Sequence, residues 1–95
     1  MNADFTSIRN HHERAVFDAI GAAAADYPLL ADAALLADVA CVALNRLPPR
    51  YIRHEADLAF YLGEKERREA AQAVEEAVRY AFGFVQARHA MRARR

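Results

Sequence analysis

The 95-residue chain has one cysteine, three isolated glycines and no net charge. A lone Cys41 excludes an internal disulfide and suits a reducing cytoplasm. Thirteen acidic side chains balance thirteen basic ones. That argues against a general polyanion binder, in which Lys and Arg outnumber the acids, so nucleic acid is not an expected partner. No apolar run approaches the ~20 residues of a membrane span, and the opening "MNADFTSIRNHHER" is too polar for a signal peptide. A cytoplasmic protein is expected. No GxGxxG, Walker or GxSxG pattern exists, and no repeat or low-complexity linker interrupts the chain.

Metal and hydrolytic chemistry find little to work with. His11, His12 and Glu13 are adjacent, but consecutive helical positions point in different directions and cannot grip one ion together. His54, His89 and Cys41 stand at no recognised ligand spacing. Cys41 lies in the most apolar segment and reads as a buried, inert thiol. No enzyme activity and no cofactor are expected.

What is abundant is alanine, which supplies much of the 55% apolar content. Alanine favours helix while burying little area, so one small domain of this composition has a thin core. A thin core in a helix-rich chain favours packing against a second subunit. Charge is unevenly spread. Asp4, Glu13, Asp18, Asp26 and Asp32 face only Arg9 and Arg14 in the first third, whereas no acid follows Glu76 and the end carries Arg88, Arg92, Arg94 and Arg95.

Three helices account for most of the chain. The first is expected to start at Thr6 or Ser7 as a cap. Its apolar face is Ile8, His12, Ala15, Val16, Ala19, Ile20 and Ala23, and "DYP" ends it at Pro28. The second begins with Asp32 as its cap and must stop near Leu47, because neither following proline can donate a backbone hydrogen bond. Leu35, Leu36, Val39, Val42, Ala43 and Leu44 make it apolar around much of its circumference, as expected of a central or interface helix. The third spans residues 64 to about 91. Ala71, Val74, Val78, Ala81, Val85 and Arg88 form a heptad-like seam, widened by Ala77, Tyr80 and Phe84. Glu64–Arg68 and Glu75–Arg79 stand at favourable i,i+4 spacing, and Gly83 leaves room for another backbone. Residues 50–62 read as an extended connector with one short strand. The expected organisation is mainly α: an N-terminal tail over residues 1–5, a small domain of three to four helices over 6–91 that packs as a homodimer, and a basic tail over 92–95.

The segment "ALNRLPPRYIR", residues 43–53, concentrates the polar features. Asp38, Cys41 and Asn45 share a stripe of helix two, and a buried Asp or Asn needs partners. Asp38 is expected to bond a loop amide or an arginine, and Asn45 to tie off the reversal at Pro48 and Pro49. Each of Arg46, Arg50 and Arg53 alone reads as a solvated cation near a helix C-terminus. Clustered with Tyr51 they suit a phosphate or nucleobase, since guanidinium binds both bidentately and tyrosine offers a stacking plane.

"DVACVALNRLPPRYI", residues 38–52, resembles the signature of the late-competence ComFB family: an Asp-Val start, an Ala-Leu-Asn core and a Leu-Pro-Pro-x-Tyr exit. Asn10 and Glu13 in "IRNHHERAVFDAI" match the family's Asn-x-x-Glu opening. Asp38, Asn45, Leu47, Pro48, Pro49 and Tyr51 are the specific part. The resemblance implies a small, mostly helical homodimer without catalytic activity, linked to competence, motility or biofilm behaviour. In some members it implies a receptor for cyclic dinucleotides. One branch binds zinc through Cys-x-Cys-x-x-Cys; here Leu30, Asp32 and Leu35 stand at those positions, so zinc is not expected. The leading expectation is a receptor for a cyclic dinucleotide, cyclic di-GMP ahead of cyclic di-AMP. Arg46, Arg50, Arg53 and Tyr51 would hold the ligand together with Asn45, which with Asp38 would also hold the loop. The alternative is a ligand-free homodimeric adaptor that docks on a larger regulatory or motility partner.

Overall fold

A computed structural model describes residues 2–58 and 62–94. The fold is mainly helical. Among the described residues it contains α1 (His12–Ala23), α2 (Ala33–Asn45) and α3 (Glu64–Ala93), with one antiparallel strand pair, β1 (Arg9–Asn10) and β2 (Tyr51–Ile52).

The three helices pack on one another around Val16, Leu30, Val39 and Phe82, which are the largest fully buried side chains. Val74, Val78, Ala81 and Val85 of the expected α3 seam are buried, but its ends, Ala71 and Arg88, are exposed. The seam widens toward Phe82, not toward Tyr80 and Phe84, which remain 44% and 43% exposed. Tyr27 of the "DYP" turn is the cause. Its ring stacks on Phe82 at 4.3 Å between centroids and draws that side chain inward. Burying a phenyl ring there is worth about 1.5–3 kcal/mol, more than either alternative returns at half exposure.

The start of α1 departs from expectation. Asp4, not Thr6 or Ser7, caps a short turn at Phe5–Ser7, and the chain is then extended through Arg9–Asn10 before α1 begins at His12. Asn10 and Glu13 impose the delay. The Asn10 side chain accepts from the His12 amide at 3.3 Å and the Glu13 carboxylate accepts from the Asn10 amide at 3.0 Å. That reciprocal pair is a capping box, and it fixes where the helix can start. At the other end, α1 gives way after Ala23 to short 3-10 turns at Ala24–Asp26 and Pro28–Leu30.

Helix α2 is capped as expected, with the Asp32 side chain accepting from the Ala34 amide at 2.7 Å. It is less enclosed than its composition suggests. Val39 and Ala43 are buried, Leu35, Leu36, Val42 and Leu44 are half-buried, and Ala34, Ala37, Cys41 and Asn45 face water. Cys41 is thus exposed, contrary to its expected burial. An alanine-lined face loses little by solvation, so the bulkier leucines and valines decide which side turns inward.

The connector forms β2 where a short strand was expected and then a 3-10 turn at Glu55–Asp57; the expectation for Phe60 and Tyr61 lies outside the described residues. Glu64 and Arg68 pair at 3.7 Å, and Lys65 pairs with Glu69 at 3.9 Å. Glu75 and Arg79 form no ion pair; both line a ≈ 560 Å³ groove between α1 and α3. Helix α3 continues past Met91 to Ala93, and before Val74 and after Val85 its residues are exposed or half-buried. The molecule is thin, 49 × 39 × 20 Å, with a radius of gyration of 15.4 Å. A compact domain of this length has about 12 Å. Its accessible surface of 7164 Å² likewise exceeds the roughly 5,500 Å² typical of a folded monomer of this mass. Among the described residues, no helix is long and apolar enough to cross a membrane.

Candidate functional site

The Pro-Pro turn is pinned to the start of α1. Leu47 and Ile52 are buried on either side of it, 6% and 7% exposed, while Pro48, Pro49, Arg50 and Tyr51 face water. Between those anchors the backbone is fixed by polar contacts. The His11 amide donates to the Arg50 carbonyl at 2.8 Å. The Arg50 amide donates to the Asn10 side-chain oxygen at 3.2 Å. The buried His12 ring meets the Pro48 carbonyl through Nε2 at 3.0 Å. A carbonyl only accepts, so Nε2 carries the proton. The strand register, Arg9 opposite Ile52 and Asn10 opposite Tyr51, completes the clamp.

Two prolines lower the freedom of the unpinned turn, and the clamp removes most of what remains. Strand alternation does the rest, turning Ile52 inward and leaving Tyr51 68% exposed. Arg50, Tyr51 and Arg53 therefore lie along one exposed ribbon. Arg53 Nε donates to the Ser7 hydroxyl at 3.3 Å, and its Nη1 to His54 Nε2 at 3.3 Å. The His11 ring lies 4.0 Å from that of His12. Burial first, then the neighbouring His12 and Arg50, hold the His11 pKa below its ordinary value of 6.5.

Other expected members of the site are placed elsewhere. Arg46 leaves the ribbon and lies over the Tyr80 ring of α3, its guanidinium carbon 3.6 Å from the ring centroid. Asn45 does not tie off the reversal. Its amide donates back to the Cys41 carbonyl at 2.9 Å, a solvent-facing contact within α2. The tie comes instead from Asn10 and His12. Asp38 is half-buried and makes no side-chain hydrogen bond or ion pair among the described residues. No buried side-chain oxygen or nitrogen among them lacks a partner, so water reaches its carboxylate.

Two features had escaped the sequence reading. His12 was weighed there as a member of an apolar face and as a metal ligand, although a histidine at a core position within Asn-x-x-Glu is the kind of residue that holds a distant carbonyl. The second is a ≈ 310 Å³ hollow beside α1, where Glu55 bridges Arg9 at 3.3 Å and Arg14 at 3.9 Å. Its charges come from segments far apart in sequence, which no local spacing reveals.

Among the described residues no group of three His, Cys, Asp or Glu side chains is placed to hold a metal ion. At the positions of the zinc-binding cysteine cluster, Leu30 is fully buried in the core, Asp32 caps α2 and Leu35 packs against the core. These side chains do not fit that metal.

The profile of the family described as late competence development protein ComFB matches residues 9–89. No curated protein and no solved structure matches the chain. The matched span takes in the whole clamp, from Arg9 to Ile52, and nearly all of α3.

Proposed function

The chain belongs to the late competence development protein ComFB family, and from that premise we propose that it is a non-enzymatic signalling receptor for a cyclic dinucleotide. Family membership suggests a competence-related role. The observation that carries the ligand reading is the clamped ribbon. Arg50 is held by its backbone on both sides, and Tyr51 is 68% exposed next to it. An arginine and a tyrosine carried next to each other on one fixed, exposed stretch of backbone suit a ligand with phosphates and planar bases. Arg53 extends the cationic edge. Arg46 and Asn45 belong to other surfaces of the chain and are secondary in this reading. Cyclic di-GMP is favoured over cyclic di-AMP because guanine presents O6 and N7 acceptors to arginine.

Homodimerisation is part of the same reading. The excess surface and thin core are what a chain built to pack against its own copy would carry, and a two-fold dimer suits a two-fold ligand. Titration calorimetry with both dinucleotides tests the receptor. Heat and a raised melting temperature with cyclic di-GMP, both weakened at least tenfold in Arg50→Ala, are expected. No heat and no thermal shift with either dinucleotide rejects it.

The adaptor reading has its own observation. Phe17 and Leu29 are 51% and 70% exposed, apolar side chains suited to a downstream regulatory protein. It predicts melting that ignores nucleotides and a stable complex with that partner.

A further inference from the structure

Helix α3 carries two seams. The one that includes Val74, Val78, Ala81 and Val85 packs on α1 and α2. Beside it Ala73, Ala77, Tyr80, Phe84, Ala87 and Met91 recur at alternating steps of four and three, the spacing of a coiled-coil seam. Of these only Ala77 is buried by the chain's own fold. Tyr80, Phe84 and Met91 are 44%, 43% and 67% exposed, and the Tyr80 and Phe84 rings stack at 6.1 Å. Gly83 lies alongside, with nothing within 4 Å of where a Cβ would stand.

Charge selects the occupant. Residues 64–76 hold Glu64, Glu66, Glu69, Glu75 and Glu76 against Lys65, Arg67 and Arg68, whereas residues 77–94 hold Arg79, Arg88, Arg92 and Arg94 and no acid. One half of the helix is thus acidic on balance and the other basic. Two such helices side by side repel when parallel and attract when antiparallel. Helix α3, about 45 Å long at 1.5 Å per residue, extends beyond the core at both ends, so a second α3 has the length it needs. The surplus of surface over a compact monomer is about twice what a standard dimer interface removes from each partner, roughly 800 Å², so there is surface enough for one.

We propose that this face pairs antiparallel with the same face of a second copy, the two-fold axis crossing α3 near Phe82. Tyr80 then meets Phe84 of the second copy, Ala77 meets its Ala87, and Ala73 meets its Met91. The acidic half of each helix lies along the basic half of the other. Arg46, already over the Tyr80 ring, closes the rim. The proposal rests on the homodimeric reading above and adds its face, orientation and register.

Disulfide trapping tests it in a Cys41→Ser background, with one variant carrying Ala73→Cys and the other Met91→Cys. The antiparallel register predicts cross-linked dimer when the two are mixed and oxidised, and little from either alone. Sedimentation of Phe84→Glu, with its helicity and melting checked by circular dichroism, gives a second readout. This variant is expected to be folded and monomeric at concentrations where the parent chain is dimeric. Self-cross-linking of each single variant would mean parallel pairing and overturn the proposal. A Phe84→Glu chain that stays dimeric, with no cross-link in the mixture, would overturn this face while leaving the homodimer standing. A parent chain that sediments as a monomer at every concentration would remove both.

Discussion

The clamp at the start of α1 and the centre of the three-helix core hold the molecule in different ways. In the core, Val16, Leu30, Val39 and Phe82 contribute by area, and any well-shaped apolar set of the same volume would serve. In the clamp almost nothing is bulky. Asn10, His11 and His12 act through hydrogen bonds to particular backbone atoms of Pro48 and Arg50, and Glu13 holds the Asn10 amide in place. Area sets how stable the chain is; the polar contacts set where one short ribbon stands. A protein with so thin a core thereby keeps an exposed loop in place without enlarging that core.

Substitutions should separate the two. Phe82→Ala removes a fully buried ring and its stack on Tyr27 and should cost about 3–5 kcal/mol, read as a fall in the midpoint of chemical denaturation for the whole chain. If only part of the helical signal is lost, the core is not one cooperative unit. His12→Ala should cost less, about 1–2 kcal/mol, and its main effect should be local. Faster amide exchange at Arg50 and Ile52, with α3 unchanged, is the expected pattern. Uniform acceleration everywhere would place His12 in the core and not in the clamp. Arg46→Ala removes a half-exposed cation–π contact, worth about 0.5–1 kcal/mol, and should quench little beyond the Tyr80 environment in near-ultraviolet dichroism.

The smallest effect is a pH dependence. Burial, His12 and Arg50 hold the His11 pKa below 6.5 in the folded chain, so the unfolded chain takes up a proton first as pH falls. Stability is therefore unaffected by His11 above that value and declines as pH drops below it, levelling off below the folded pKa. A His11→Gln chain should show a flatter melting-temperature profile between pH 7 and 5. An unchanged slope would show that His11 does not couple to folding.

Much of the helical frame was legible in the sequence. Asp32 as a cap and Val74, Val78, Ala81 and Val85 as a seam follow from local rules that the fold obeys. What was not legible depends on contacts between distant segments. Phe82 is buried because Tyr27 meets it, and Arg46 leaves the ribbon because Tyr80 is within reach. Cys41 is exposed because α2 has only one side bulky enough to bury. The site divides in the same manner. Asn10, Glu13, Pro48, Pro49 and Tyr51 were named from a motif, yet the bond from His12 to Pro48 spans 36 positions and leaves no periodic trace.

Helix α3 continues well beyond the core that supports its middle. Its backbone is one unbroken hydrogen-bonded ladder, but the energy needed to open that ladder changes along its length. Amides near residues 74–85 open only when the core does, whereas those near residues 86–93 of an isolated chain open at almost no cost. One helix thus spans two kinetic regimes. Anything that seats against its free end would slow the exchange of amides it never touches by joining them to the protected stretch.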